Sequence, residues 1–250
     1  AGYFDYYLLH ALQRGNYTKY DEYHIWDFVK EQKSKGLIRY FGFSFHADPA
    51  LLEELLTAHP EVDFIQLQIN YLDLDNPSVE SRRCFEIARA HGVSFTVMEP
   101  VKGGALADPM DEVKRLFKNY APDMSPASWA IRYCASLDGV ITVLSGMSNV
   151  EQMADNLSYM KDFKPLCAEE YEVIEQAREA FRTVKAIGCT GCSYCTDGCP
   201  MQIPIPKILS ARNRMYQFND QRRGKEAYNR AVKDVGSATD CIECGQCEGA

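Results

Sequence analysis

Seven of the ten cysteines fall between residues 189 and 247, and their spacing is the strongest chemical signal in the chain. "CTGCSYCTDGCP" (189–200) is C-x2-C-x2-C-x3-C-P, and "CIECGQC" (241–247) repeats its first three cysteines. Thiolates at this spacing converge on one compact iron–sulfur cluster, while the cysteine before proline reaches a second one. Cys189, Cys192 and Cys195 are therefore expected on one 4Fe–4S cluster, and Cys199, Cys241, Cys244 and Cys247 on the other. The first cluster would lack a ligand within the chain, and a further cysteine is expected just beyond Ala250. Gly191 and Gly198 ease the tight turn such a loop requires. A zinc ribbon, with two C-x2-C knuckles around one ion, is the alternative. Two triplets and a Cys-Pro exceed what one zinc needs.

The remaining cysteines, Cys84, Cys134 and Cys167, are scattered through apolar stretches and read as core or partly buried. The start, "AGYFDYYLLH", shows neither a basic n-region nor a cleavage site, so a secreted disulfide framework is not expected and the cytoplasm is the expected compartment. No apolar run approaches the roughly 18–20 residues needed to span a bilayer. A net charge of -8 argues against a generic nucleic-acid binder. Lys207, Arg212, Arg214, Arg222, Arg223, Lys225, Arg230 and Lys233 do cluster between the cysteine groups. They suit a solvated helix face beside anionic clusters, or a docking face for an acidic redox partner protein.

The elements that must carry this chemistry alternate between short apolar runs and amphipathic stretches. "YFDYYLLH" (3–10), "LIRYFGFS" (37–44), "DFIQLQIN" (63–70), "VSFTVME" (93–99) and "GVITVLSG" (139–146) read as buried strands. Helices are expected over 20–36, 48–59, 76–92, "SPASWAIRYCAS" and 149–160, with Asp48 as cap and Pro49 in the first turn of the second. Five βα units of this kind imply a parallel sheet covered by helices. An eight-stranded barrel takes about 250 residues. Residues 1–165 thus fit an open sheet, or the last five units of a (β/α)8 TIM-barrel type fold. Residues 166–188 read as a connecting helix and 189–250 as a helical, dicluster ferredoxin-like domain.

"FDYYLLH" resembles the fourth strand of aldo/keto reductases, "IRYFGFSFH" their fifth with its Gly-x-Ser, and "FIQLQINY" their sixth with its Gln. "VLSGMSNVEQMADNL" is similar to their eighth strand and cofactor-binding helix. With the cysteine motif, the whole chain resembles aldo/keto reductases fused to a 4Fe–4S domain. That resemblance implies a (β/α)8 barrel whose active site lies at the C-terminal ends of the strands, and hydride reduction of a carbonyl by NADPH or NADH. It makes His10 the residue that orients the carbonyl oxygen. Ser44 and Gln66 would hydrogen-bond the nicotinamide carboxamide, Ser145, Gly146, Met147 and Ser148 would hold phosphates, and Asp155 and Asn156 would hold the adenine end. Gln66 and Gln68 are expected on opposite faces of their strand.

The sequence departs from the family where Phe45 replaces an Asn, Gln152 stands in place of the cofactor-binding Arg, and Met98 replaces the aromatic that stacks on nicotinamide. The family's Tyr, Lys and Asp belong to three βα units that the resemblance places before residue 1. On that expectation the stretch given is inactive by itself and weakly stable, with two open sheet edges. Two functions compete. One is an iron–sulfur oxidoreductase acting on a small-molecule substrate. The other is an electron-transfer or docking module whose barrel has lost hydride chemistry.

Overall fold

The five apolar runs pair in chain order into one parallel sheet: β1 (Phe4–Leu12), β2 (Ile38–Phe45), β3 (Phe64–Gln68), β4 (Ser94–Met98) and β5 (Val140–Val143). The computed structural model describes residues 2–76, 79–183, 187, 189, 193–218 and 220–248. Among these, the strand order is β1-β2-β3-β4-β5, so β1 and β5 form the edges. The chain divides into two compact units. One comprises residues 1–104 and 127–171, the other 105–126 and 172–250.

In the first unit, helices follow each strand: α1 (Tyr17–Glu22) and α2 (Ile25–Ser34) after β1, α3 (Pro49–Ala58) after β2, and α4 (Ser81–Ala90) after β3. The single helix expected over 20–36 is broken, because His24 adopts a left-handed backbone (φ 54°) between α1 and α2. Asp48 caps α3 as its position implies: the carboxylate accepts the Leu51 N–H and Pro49 opens the first turn.

Alternation along the strands separates two faces. Phe41 and Phe43 meet Trp26 of α2, and Phe95 meets Phe85 of α4, so these side chains face the helices. The same parity places Phe45, Ile65, Leu67 and Val97 there, all buried. The opposite face carries Tyr6, Tyr40, Ser44, Gln66, Thr96 and Met98. Gln66 and Gln68 lie two residues apart on one continuous strand and therefore share that face, which corrects the expectation that they point opposite ways. Gly42 is required by close approach, since a Cβ there would lie 1.9 Å from the Phe64 carbonyl oxygen. That explains the Gly in the Gly-x-Ser of β2.

The second unit contains α5 (Asp111–Tyr120), α9 (Tyr194–Asp197), α10 (Ile205–Gln217), α11 (Gln221–Ala231), a 3-10 turn (Ala238–Asp240) and most of α8 (Ala168–Thr183). The remaining helices, α6 (Pro126–Ala135) and α7 (Val150–Met160), sit in the first unit apart from the opening residue of α6. No strand occurs among the described residues of 172–248. The segment between the cysteine groups is thus helical, as its sequence implies. Gly224 lets α10 and α11 approach, because a Cβ there would sit 2.2 Å from Met215 Cγ. Phe181 and Phe218 pack at 5.6 Å between ring centroids.

Candidate functional site

His10 stands near the C-terminal end of β1, exposed, at a register shift between Leu9 and Leu12. Such bulges re-aim side chains and gather near active sites. The next residue, Ala11, has φ 57°, a left-handed conformation that a non-glycine residue rarely adopts. Three neighbours hold this segment. The Ser44 hydroxyl accepts the Ala11 N–H at 2.7 Å, the Asn16 amide donates to the Ala11 carbonyl at 2.8 Å, and the Tyr20 hydroxyl donates to the His10 carbonyl at 2.6 Å. Arg14 donates twice to Asp48, both at 2.7 Å, tying the loop after β1 to the cap of α3. The Arg14 guanidinium holds the Asp48 carboxyl well below the usual carboxylate range. His46 follows β2 directly, and partial burial together with nearby His10 lowers its pKa from the ordinary value.

On β3 and β4, Gln66 lies between two partners. Thr96 donates its hydroxyl to Gln66 Oε1 at 3.4 Å, and Gln66 Nε2 points at Met98 Sδ, also at 3.4 Å. Beyond these strand ends lies a buried polar cluster that sequence reasoning did not identify. Asn70 is fully buried and donates to Asp73 at 3.0 Å, and Lys102 Nζ reaches both Asp73 oxygens at 2.6 and 2.5 Å. Burial opposes ionisation of Asp73, but Lys102, Asn70 and Asn76 outweigh it and hold the carboxyl below its ordinary value. The glycine-containing loop after β4, "PVKGGAL" (100–106), is pinned by this ion pair at Lys102. Glu99 (φ 58°) and Lys102 (φ 51°) both have left-handed backbones there, and Glu99 is exposed.

At the start of α7 the candidate nucleotide residues bond one another. Ser145 Oγ accepts from Asn156 at 2.7 Å, and Asn156 in turn accepts from the Tyr159 hydroxyl. The Ser148 N–H and hydroxyl both donate to Gln152 Oε1, at 2.7 and 3.2 Å, while Asn149 accepts the Gln152 N–H at 2.8 Å. Gly146 is exposed, and Met147 and Asp155 are half-buried. Between Ser145 and Asn156 the chain has no Lys or Arg and two carboxylates, Glu151 and Asp155. The Ser148 donors and the Gln152 N–H are satisfied internally. These residues do not fit the 2′-phosphate of NADPH.

The second unit holds an apolar cavity of about 210 Å³ lined by Cys199, Cys241, Cys244 and Cys247, with Ile203 and Ile208 among its walls. Four cysteines from two distant motifs thus line one space. No three His, Cys, Asp or Glu side chains among the described residues gather as ligands of a single metal ion. A cavity of this size with four sulfurs and apolar walls fits a cubane cluster better than one zinc. Cys241 Sγ also accepts the Glu243 N–H at 3.4 Å, the type of hydrogen bond that tunes cluster sulfur ligands. Of the first triplet, Cys189 is exposed, Cys195 is half-buried, and Cys192 lies outside the described residues. Cys84 and Cys134 are buried, and burial pushes the Cys84 thiol up to about 12, which suits inert core residues.

A parallel βα sheet with its polar groups at the C-terminal strand ends is an arrangement that TIM barrels share with doubly wound α/β folds, and the family match decides for the TIM-barrel type. Within that class the chain belongs to the aldo/keto reductase family, which matches residues 2–179, and residues 188–250 match the 4Fe-4S dicluster domain. Among solved structures, the chain is similar to the aldo-keto reductase AKR11C1 from Bacillus halodurans. In the holo form the identity is 26% and the TM-score 0.55, over 71% of this chain and 59% of that one. The apo form gives 26% and 0.53, over 71% and 62%. The thermostable aldo-keto reductase Tm1743, bound to the inhibitor epalrestat, shares the fold at 23% identity and a TM-score of 0.55, over 71% and 61%. The chain therefore spans about three-fifths of the length of the structures it matches. No curated protein matches it. No helix among the described residues is long and apolar enough to cross a membrane.

Proposed function

We propose that the protein is an iron–sulfur oxidoreductase that interconverts a carbonyl and an alcohol, or transforms another small substrate, at the C-terminal ends of the sheet strands. The observation that carries this reading is the cavity lined by Cys199, Cys241, Cys244 and Cys247 in a chain of the aldo/keto reductase family. On this reading, those four cysteines hold one 4Fe–4S cluster and Cys189, Cys192 and Cys195 belong to a second. A bound cluster supplies one-electron transfer. His10 is the catalytic residue, presented at a strand end to orient or polarise a substrate oxygen. Gln66, and the remaining donor of the Ser44 hydroxyl, are candidates to hold a nicotinamide carboxamide, with Ser145, Gly146, Ser148, Asp155 and Asn156 beside it. Gln152 and Ser148, already bonded to each other, bring no positive charge to a nucleotide phosphate there. On this reading the functional parts are 1–165, 166–188 and 189–250, a redox partner protein exchanges electrons with the clusters, and the compartment is the cytoplasm.

The self-capped start of α7 specifically favours a second reading, an electron-transfer or docking module without hydride chemistry. Anaerobic purification with iron and sulfide counts, EPR, and titration with NADPH and NADH separates the two. Cubane EPR signals, with reduction of benzaldehyde to benzyl alcohol by protein photoreduced with deazaflavin and freed of excess reductant, support the oxidoreductase. Clusters that cycle without any carbonyl turnover support the module. Zinc in place of iron removes both.

A further inference from the structure

We infer that Ser44, Asn16 and Tyr20 form a clamp whose purpose is to fix His10, which makes them positioning residues for the imidazole. The inference rests on the reading of His10 as catalytic. Its observations are the register shift at Leu9–Leu12, the left-handed Ala11, and the three hydrogen bonds that converge on two successive residues.

The partners come from two elements: Ser44 from β2, and Tyr20 from α1 together with Asn16 at the N-cap position of that helix. A chain that needed only to leave the sheet would place glycine at position 11 and carry no strain there. Alanine in this conformation persists only when surrounding contacts over-determine it, and strained positions of this kind cluster where a side chain must be presented in one way. The clamp is built inward as well. Ser44 is 1% exposed, and it accepts the Ala11 N–H from a strand position whose Gly42 neighbour admits no Cβ. A hydroxyl has one donor and two acceptor positions. Accepting from Ala11 thus leaves the Ser44 proton available to another acceptor, and positioning is compatible with ligand contact. His46 provides an internal gauge, since its lowered pKa depends partly on His10. Burial, the larger cause, stays in place if only His10 moves.

The test uses the full-length protein, purified anaerobically, with Tyr20→Phe, Ser44→Ala, Ser44→Thr and His10→Gln. Two readouts are collected: conversion of benzaldehyde to benzyl alcohol by deazaflavin-photoreduced protein, and NMR titration of the His10 and His46 rings. Tyr20→Phe removes only a hydroxyl and keeps the ring beside Trp26, so its fold is preserved. The clamp predicts a fall in kcat of about 10- to 100-fold in Tyr20→Phe and Ser44→Ala at unchanged KM, and recovery in Ser44→Thr. It also predicts that the His46 midpoint in Ser44→Ala rises toward its value in His10→Gln. Wild-type kcat and an unmoved His46 midpoint in both Tyr20→Phe and Ser44→Ala would overturn it. If His10→Gln itself turns over like wild type, the catalytic reading fails, and the NMR titration alone decides whether the clamp exists.

Discussion

The sheet unit and the cysteine cavity are stabilised by different physics. Around the sheet, Phe41, Phe43, Ile65, Phe95 and Trp129 are all fully buried, and this face would form whether or not a ligand is present. Around the cavity, Cys241, Cys244 and Cys247 are exposed and Ile242 is 60% exposed, with Ile203 the main buried side chain nearby. What shapes that stretch is local: Asp240 accepts the Ser237 N–H at 2.7 Å and its hydroxyl at 2.8 Å, and Tyr228 accepts the Ala238 N–H at 3.2 Å. Burial orders the first region by itself. The second has thiols placed around a space and little apolar area to hold them there, so binding free energy must supply what packing does not.

The largest effect expected from this contrast follows iron removal. Chelation under reducing conditions should abolish amide protection over 238–248 in hydrogen exchange while β2, β3 and β4 keep theirs. Equal loss in both regions would show that the sheet depends on the cluster and would break the comparison. Cys244→Ser should lower bound iron by about the content of one cluster, with the same local signature. The complementary change is Phe43→Ala, which removes an aromatic packed against Trp26 and Phe45. It should cost about 3–5 kcal/mol of unfolding free energy for the sheet unit, read by denaturant titration, with iron content unchanged.

The same contrast governs what could be read from sequence. Short apolar strand runs, amphipathic helices and their caps are patterned by burial and solvent, so the five βα units, the Asp48 cap and the helical character of 200–240 were legible. The C-x2-C spacing was legible because a cluster imposes it. The Asn70–Asp73–Lys102 cluster was not, because its members belong to two strand ends far apart in the chain and match no periodicity. The break at His24 and the bulge at Ala11 were hidden for a related reason: neither position is a glycine, so no composition signal marks the left-handed backbone. Gln152 looked like a missing cation, whereas its carbonyl bonds Ser148 and its N–H is held by Asn149, a geometry that residue type alone does not specify.

A smaller effect tests whether the sheet unit also depends on polar contacts at its strand ends. Asp73→Asn leaves Lys102 facing a neutral amide in a nearly buried site, and about 3 kcal/mol should be lost, near the lower end for breaking a buried pair because Lys102 retains some access to water. The pH dependence has a definite sign. The folded-state pKa of Asp73 lies below the unfolded value of about 4, so its contribution is complete above that value and is lost as pH falls through the folded pKa. Wild type should therefore lose this increment on acidification, and Asp73→Asn should show a correspondingly flatter acid limb in urea titrations.

The smallest effect concerns Asp48, which joins the cap of α3 to Arg14. Its carboxyl is also held low, chiefly by the Arg14 hydrogen bond, so its contribution likewise vanishes as pH falls below the carboxylate range. Both partners are well exposed, with side chains at 51% and 39%, and an ion pair in that setting is worth little. The cap should dominate, giving about 1 kcal/mol for Asp48→Ala, while Asp48→Asn, which can still accept the Leu51 N–H, should lose less than half of that. If the two variants were equally destabilised, the Arg14 pair rather than the cap would be holding α3. The strand ends would then share with the cysteine cavity a reliance on exposed polar contacts, and the contrast between the two regions would narrow to the hydrophobic face of the sheet alone.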